Sequence, residues 1–180
     1  PISLNTVYFQ IDESNKAPRR TLEMISELLR YQLYGGNQKV SILQEIDYLK
    51  TYIALRKLRM SERLRLRVEF PPELNELNIY PLLFLPLVEN AFKYVGGDYQ
   101  LDIIMKWENN RISLFIRNSI PELSAEDEAL RKSVDERQRK GIGLVNLRRR
   151  LSLLYPNKHR LETRKEETEF VAELMIEIED

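Results

Sequence analysis

The sequence predicts a two-layer α/β sandwich of the α+β type, its sheet mostly antiparallel, with a helical stub at the N-terminal end. Three observations lead there. Apolar residues recur at helical spacing in several segments, other segments alternate apolar and polar residues strictly, and the two patterns take turns from about residue 37 onward. No internal repeat interrupts that order.

Residues 15–34 read as an amphipathic helix. Pro18 suits a first turn, Leu22, Ile25, Leu29 and Leu33 recur at helical spacing, and Met24 and Leu28 widen the stripe. Gly35-Gly36 ends it. So wide a stripe on a terminal helix calls for a partner helix, from this chain or a second copy, or for packing onto its own domain. Next, Ser41 and Gln44 have the spacing of a capping box, and Ile42, Ile46, Leu49 and Ile53 line one face of a second helix to about Leu58. "RLRLRVEF" sets Leu64, Leu66, Val68 and Phe70 against Arg63, Arg65, Arg67 and Glu69, the alternation of a half-buried strand, and Pro71-Pro72 ends it.

The greasy run "YPLLFLPLVENAFKYVGG", residues 80–97, is expected to be a helix. "YQLDIIMKW", an Asn109-Asn110 turn and "RISLFIRN" then read as a hairpin, with Leu101, Ile103 and Met105 opposite Ile112, Leu114 and Ile116. From Ser119 to Lys140 apolar residues are sparse and charge is dense, over a length that suits a functional or disordered loop rather than an ordinary connection. "GIGLVNLRRRLSLLY" restores a helical stripe through Leu144, Leu147, Leu151 and Leu154. "RLETRK" and "TEFVAELMIEI" close the chain as a second hairpin.

Composition removes several functions. The 28 basic and 28 acidic residues of the 180 balance, so no global field draws in nucleic acid or an anionic bilayer. With no cysteine and one histidine, His159, thiolate and multi-histidine metal sites and a cysteine nucleophile are excluded. No segment reaches the roughly 18–20 apolar residues of a membrane span, and "PISLNTVYFQ" has no signal-peptide pattern.

Three features carry the candidate chemistry. On the greasy helix Glu89 and Lys93, and likewise Asn90 and Tyr94, stand four apart and project over one broad face. "KGIGL" opens a helix after the charged loop, where glycines let backbone N–H groups approach an anion and the helix N-terminus adds partial positive charge. Asn118 ends a strand with an amide that both donates and accepts. Each also has a plain reading. Glu89 and Lys93 suit a surface pair, the glycines a tight turn, and Asn118-Ser119 a strand exit. His159 and the Arg148–Arg150 run suit solvated faces.

Order and spacing together go further. "PLVENAFKY", a strand ending in "RNS", a charged loop and "KGIGLVNLRRRLSLLYP" resemble the ATP-binding domain of sensor histidine kinases of the LytS/YehU-like branch, a GHKL-type ATPase sandwich. "ISELLRYQLY" and "VSILQEIDYLKTYIALRKLRM" fit the same branch, so the resemblance spans essentially the whole chain. It implies that Glu89 is the catalytic residue that orients or deprotonates the attacking imidazole, and that Asn90 holds Mg²⁺ on the ATP phosphates. It further implies nucleotide contacts from Lys93, Tyr94, Asn118, Gly141, Gly143 and Leu144, and an ATP lid at about residues 120–140. Residues 1–36 are expected to be a remnant of the helical dimerisation and phosphoacceptor domain, and 37–180 the ATP-binding kinase domain.

The pattern departs from the family in three places. Tyr94 stands where this branch commonly has His, Asn118-Ser119-Ile120 stands for Asp-x-Gly, and no histidine precedes Ser3-Leu4-Asn5, where the acceptor is expected. The implied function is transfer of the ATP γ-phosphoryl to a histidine absent from this chain, then to an aspartate of a response regulator. The implied setting is a homodimer through the N-terminal helices, as the cytoplasmic domain of an inner-membrane protein, with no nucleic acid bound. The alternative is a pseudokinase used for dimerisation and regulator docking. A relative in the same ATPase fold, such as an anti-sigma serine kinase or a mismatch-repair ATPase, is a third reading.

Overall fold

The computed structural model describes residues 11, 15–34, 38–72, 74, 77–122 and 142–178. Its chain divides into two compact units, one of residues 1–60 with 78–82, the other of residues 61–77 with 83–180.

In the first unit, helix α1 (Lys16–Tyr34) packs on helix α2 (Ile42–Lys57). The expected capping box is present: Leu43 N–H donates to Ser41 Oγ at 3.3 Å and Ser41 N–H donates to Gln44 Oε1 at 3.1 Å. These bonds satisfy donors that the first helical turn leaves open. Ile42, Ile46, Leu49 and Ile53 are buried as their spacing predicted. The α1 stripe is split, however. Leu28 is buried, whereas Leu29 and Leu33 are exposed. Two strands too short to show a period, β1 (Val40–Ser41) and β3 (Asn78–Ile79), pair antiparallel in the same unit.

The second unit is a five-stranded sheet with helices against it. Its strands are β2 (Arg65–Glu69), β4 (Gln100–Glu108), β5 (Arg111–Ser119), β6 (His159–Lys165) and β7 (Glu169–Glu177), in the order β2-β4-β5-β7-β6. Only β2 and β4 run parallel; the other neighbours are antiparallel. Asn109 and Asn110 both take left-handed backbone, φ 52° and 59°, as a two-residue hairpin turn demands. Ile103 faces Ile116 and Met105 faces Leu114, as the alternation predicted. Helix α3 (Leu85–Tyr94) packs on β4 and β5, and helix α4 (Ile142–Leu154) on α3 and β6.

The run over 80–97 is helical only from Leu85 to Tyr94. Pro81, the left-handed Leu82 at φ 58° and Pro86 in the first turn make residues 80–84 a turn instead. Apolar character continued through that turn because Pro81, Leu83 and Phe84 are themselves buried. On the sheet's other face Arg117 donates through Nε and Nη2 to Asp102 Oδ2, at 3.0 and 2.6 Å. That pairing answers for a carboxylate otherwise almost fully buried.

Candidate functional site

Helix α3 turns an apolar face to the sheet through Leu85, Leu87, Val88, Ala91 and Phe92, all buried. The opposite face carries the residues singled out in the sequence: Glu89 and Lys93 are exposed, Asn90 and Tyr94 half-buried. The Lys93 ammonium sits 4.9 Å from the centroid of the Tyr94 ring, a cation–π contact that holds a positive charge at this face. Polar side chains thus interrupt the greasy helix along one open side.

Below α3, the end of β5 supplies Asn118, which is 1% exposed. Its Nδ2 donates to the Ser119 carbonyl at 3.2 Å, while its Oδ1 is buried with no hydrogen-bond partner among the described residues. A flip of the amide would set Oδ1 against a carbonyl, so the Ser119 oxygen locks the acceptor end outward from that bond. Unpartnered buried acceptors are uncommon because they keep the desolvation cost without the bond. The Asn118 Oδ1 lone pairs are thus left open.

Ser119 was read only as a strand exit, yet it organises the corner. Its hydroxyl donates to Gly96 O at 2.7 Å and accepts from Gln100 N–H at 2.9 Å, and its carbonyl accepts from Gly96 N–H at 3.0 Å. These bonds fasten the chain leaving α3 to the end of β5. Gly96 and Gly97 permit the approach: a Cβ on Gly96 would meet Pro121 Cδ at 2.9 Å, and Gly97 has φ 59°. The double glycine beside "NSIP" was the available signal, but its meaning depends on residues some twenty positions apart meeting in space.

Helix α4 begins at Ile142, so Gly143 lies in its first turn, exposed, with no atom within 4 Å of where a Cβ would stand. Leu144 beside it is half-buried. The open N–H groups of that turn are available to an anion. The structure therefore assembles Glu89, Asn90, Lys93, Tyr94, Asn118, Gly143 and Leu144 on the packed elements α3, β5 and α4. Gly141 and residues 123–140 of the expected lid lie outside the described residues, as do residues 1–10 with Ser3-Leu4-Asn5.

No group of three or more His, Cys, Asp or Glu among the described residues can cage a metal ion. His159, on β6, meets the Tyr155 carbonyl through Nδ1 at 2.7 Å, which assigns the proton to that nitrogen and gives the ring a structural task. No helix among the described residues is long and apolar enough to cross a membrane.

Known proteins resemble this chain in sequence and in fold. Residues 3–64 match the family model for histidine kinases. The sensor protein kinase HptS of Staphylococcus aureus is 26% identical over 164 residues, covering 88% of this chain and 32% of its own length. The chain thus spans about a third of the length of the curated relatives it matches. The histidine kinase domain of the blue-light activated kinase EL346 of Erythrobacter litoralis superposes with a TM-score of 0.53 at 14% identity, covering 97% of this chain and 93% of that one. Full-length ShkA, solved in complex with AMPPNP, gives 0.53 at 14% identity, over 88% of this chain and 35% of that one. By fold, the chain is a mixed α/β structure of the histidine-kinase ATPase-domain type.

Proposed function

We propose that the chain is the ATP-binding catalytic core of a two-component sensor histidine kinase of the LytS/YehU-like branch. The observation that carries this is Asn118: a buried, locked, unpartnered acceptor at the end of β5 matches the need of an adenine exocyclic amine. Asn90 Oδ1 is the protein oxygen offered to Mg²⁺. Lys93 and the first turn of α4 at Gly143 compensate phosphate charge, Tyr94 lies along the nucleotide, and Gly141 and Leu144 complete the phosphate-side edge. ATP supplies the γ-phosphoryl group when bound. Glu89, exposed on α3, orients the incoming imidazole and takes its proton. Phosphoryl transfer asks little more of a protein than positioning and charge compensation, which these residues supply.

The acceptor is a histidine absent from this chain, and the phosphoryl group passes on to a response-regulator aspartate. Residues 1–36 belong to the dimerisation and phosphoacceptor domain, 37–180 to the kinase domain, and 120–140 to its lid. The exposed Leu29 and Leu33 on α1 favour self-association through that helix. We infer a cytoplasmic setting for this part, in a protein of the inner membrane.

One observation favours the second reading, a pseudokinase that docks a regulator. Asn118 is neutral, so its bond to an amine is weaker than the one a carboxylate makes. Equilibrium titration with adenosine and inosine analogues of the same triphosphate decides between the two. The kinase reading predicts at least about tenfold preference for the 6-amino base, which donates to Oδ1, over the 6-oxo base, which places an acceptor there. A folded chain that binds neither is the pseudokinase.

A further inference from the structure

The sheet of the second unit has two edge strands, β2 and β6, and they are finished differently. On β6 the side chain of Leu161, which faces the helices, is buried, and charges of the other face are paired, Arg160 with Glu162 at 2.7 Å and Arg164 with Glu173 at 3.8 Å. On β2 neither holds. Leu66 and Val68 share a face with the fully buried Leu101 and Ile103, yet both stay half-exposed. Arg65, exposed on the other face, has no carboxylate partner among the described residues and makes only a 3.4 Å contact to the Asp98 carbonyl.

The backbone of β2 is open in the same direction. Arg65 N–H donates to Tyr99 O at 2.8 Å, and the parallel register with β4 then turns the N–H and C=O groups of Arg65 and Arg67 toward that strand. Those of Leu66 and Val68 point away from the sheet and meet no partner among the described residues. Such a row is a template for one more strand. Beside it, Arg65, Arg67 and Arg117 rim a hollow of about 330 Å³ over Asp102. Arg117 answers for Asp102 at 2.6 Å, and Arg67 meets Glu69 at 2.7 Å in an exposed pair that exchanges at little cost.

We propose that the free edge of β2 docks an extended segment of a partner protein in which acidic and apolar residues alternate. Its backbone pairs with the outward N–H and C=O groups of Leu66 and Val68. Its acidic side chains fall on the open face of the sheet, against Arg65 and Arg67, and its apolar ones fall on the helix face, where they cover Leu66 and Val68. A second copy of β2 does not fit, because it would set arginine against arginine. No group of the α3 site takes part, so the edge serves whether or not the chain binds nucleotide.

The test titrates the full chain with a short end-capped peptide that alternates Glu and Val, and reads binding by fluorescence anisotropy and by amide hydrogen exchange. At saturation, exchange of the Leu66 and Val68 amides is expected to slow at least about tenfold, while the Arg65 and Arg67 amides, already bonded to β4, change by less than about twofold. A peptide of the same pattern with Gln for Glu should bind at least about tenfold more weakly, and Arg65→Glu should weaken the acidic peptide at least about fivefold. Val68→Pro removes an N–H that the sheet does not use and should also weaken it at least about tenfold. Binding without protection of Leu66 and Val68, equal affinity for the Gln peptide, or a folded wild-type chain that takes up no peptide overturns the proposal. So does protection of the two amides that rises with chain concentration alone, which would make the occupant a second copy.

Discussion

Replacing Asn118 by Leu separates an atom kept for a ligand from one kept for the fold. Leu has the same branched outline, so the exchange removes both polar ends with little change of shape. The Nδ2 bond to Ser119 O is lost, at about 1 kcal/mol, but that carbonyl keeps the Gly96 N–H at 3.0 Å and is not orphaned. Against this, the unpartnered Oδ1 disappears, recovering about 1–3 kcal/mol of desolvation cost. The net change lies between no effect and about 2 kcal/mol of stabilisation. Urea unfolding measures it as a midpoint unchanged or raised at constant slope. Affinity moves the other way. Removing the acceptor for the adenine amine costs about 1.5–3 kcal/mol, roughly 10- to 150-fold in Kd. A variant destabilised by more than about 2 kcal/mol, or one that binds nucleotide as wild type does, refutes the assignment of Oδ1 to the base.

Two further predictions concern stability alone. Arg117→Met leaves the Asp102 side chain, 7% exposed, without its guanidinium; because that guanidinium is 38% exposed, the cost is discounted to about 2 kcal/mol, read as a lower urea midpoint. The hydrogen bond to Asp102 raises the Arg117 pKa above its ordinary value, so the guanidinium's contribution is fully present below the unfolded value and is lost only as pH rises through the folded one. The difference between wild type and Arg117→Met should therefore show no decline from about pH 6 to about pH 9. Ser41→Ala removes the hydroxyl half of the capping box and should cost about 1 kcal/mol, with Gln44→Ala adding less than the same again because the two bonds share one turn.

Much of the fold was legible because its long elements keep their periods. The β4–β5 hairpin follows from alternation on both sides of Asn109-Asn110, and α2 from Ser41, Gln44 and the stripe behind them. The β1–β3 pair was not legible, since two residues show no period and Val40 and Ile79 are far apart in the chain. The turn at 80–84 was hidden by its own burial, which kept the apolar run unbroken. At the site, the residue types on α3 were visible as interruptions of an apolar face. Asn118 was singled out too, but the orientation of its open acceptor was not legible, because Ser119 O imposes it.

The most direct test of the central claim is calorimetric titration of the chain with a non-hydrolysable ATP analogue, with and without Mg²⁺, beside an Asn90→Ala variant. The account predicts binding with a Kd of about 1–100 µM that depends on Mg²⁺ and is lost in Asn90→Ala. A folded chain that takes up no analogue at about 1 mM, or Asn90→Ala binding as tightly as wild type in Mg²⁺, would contradict it.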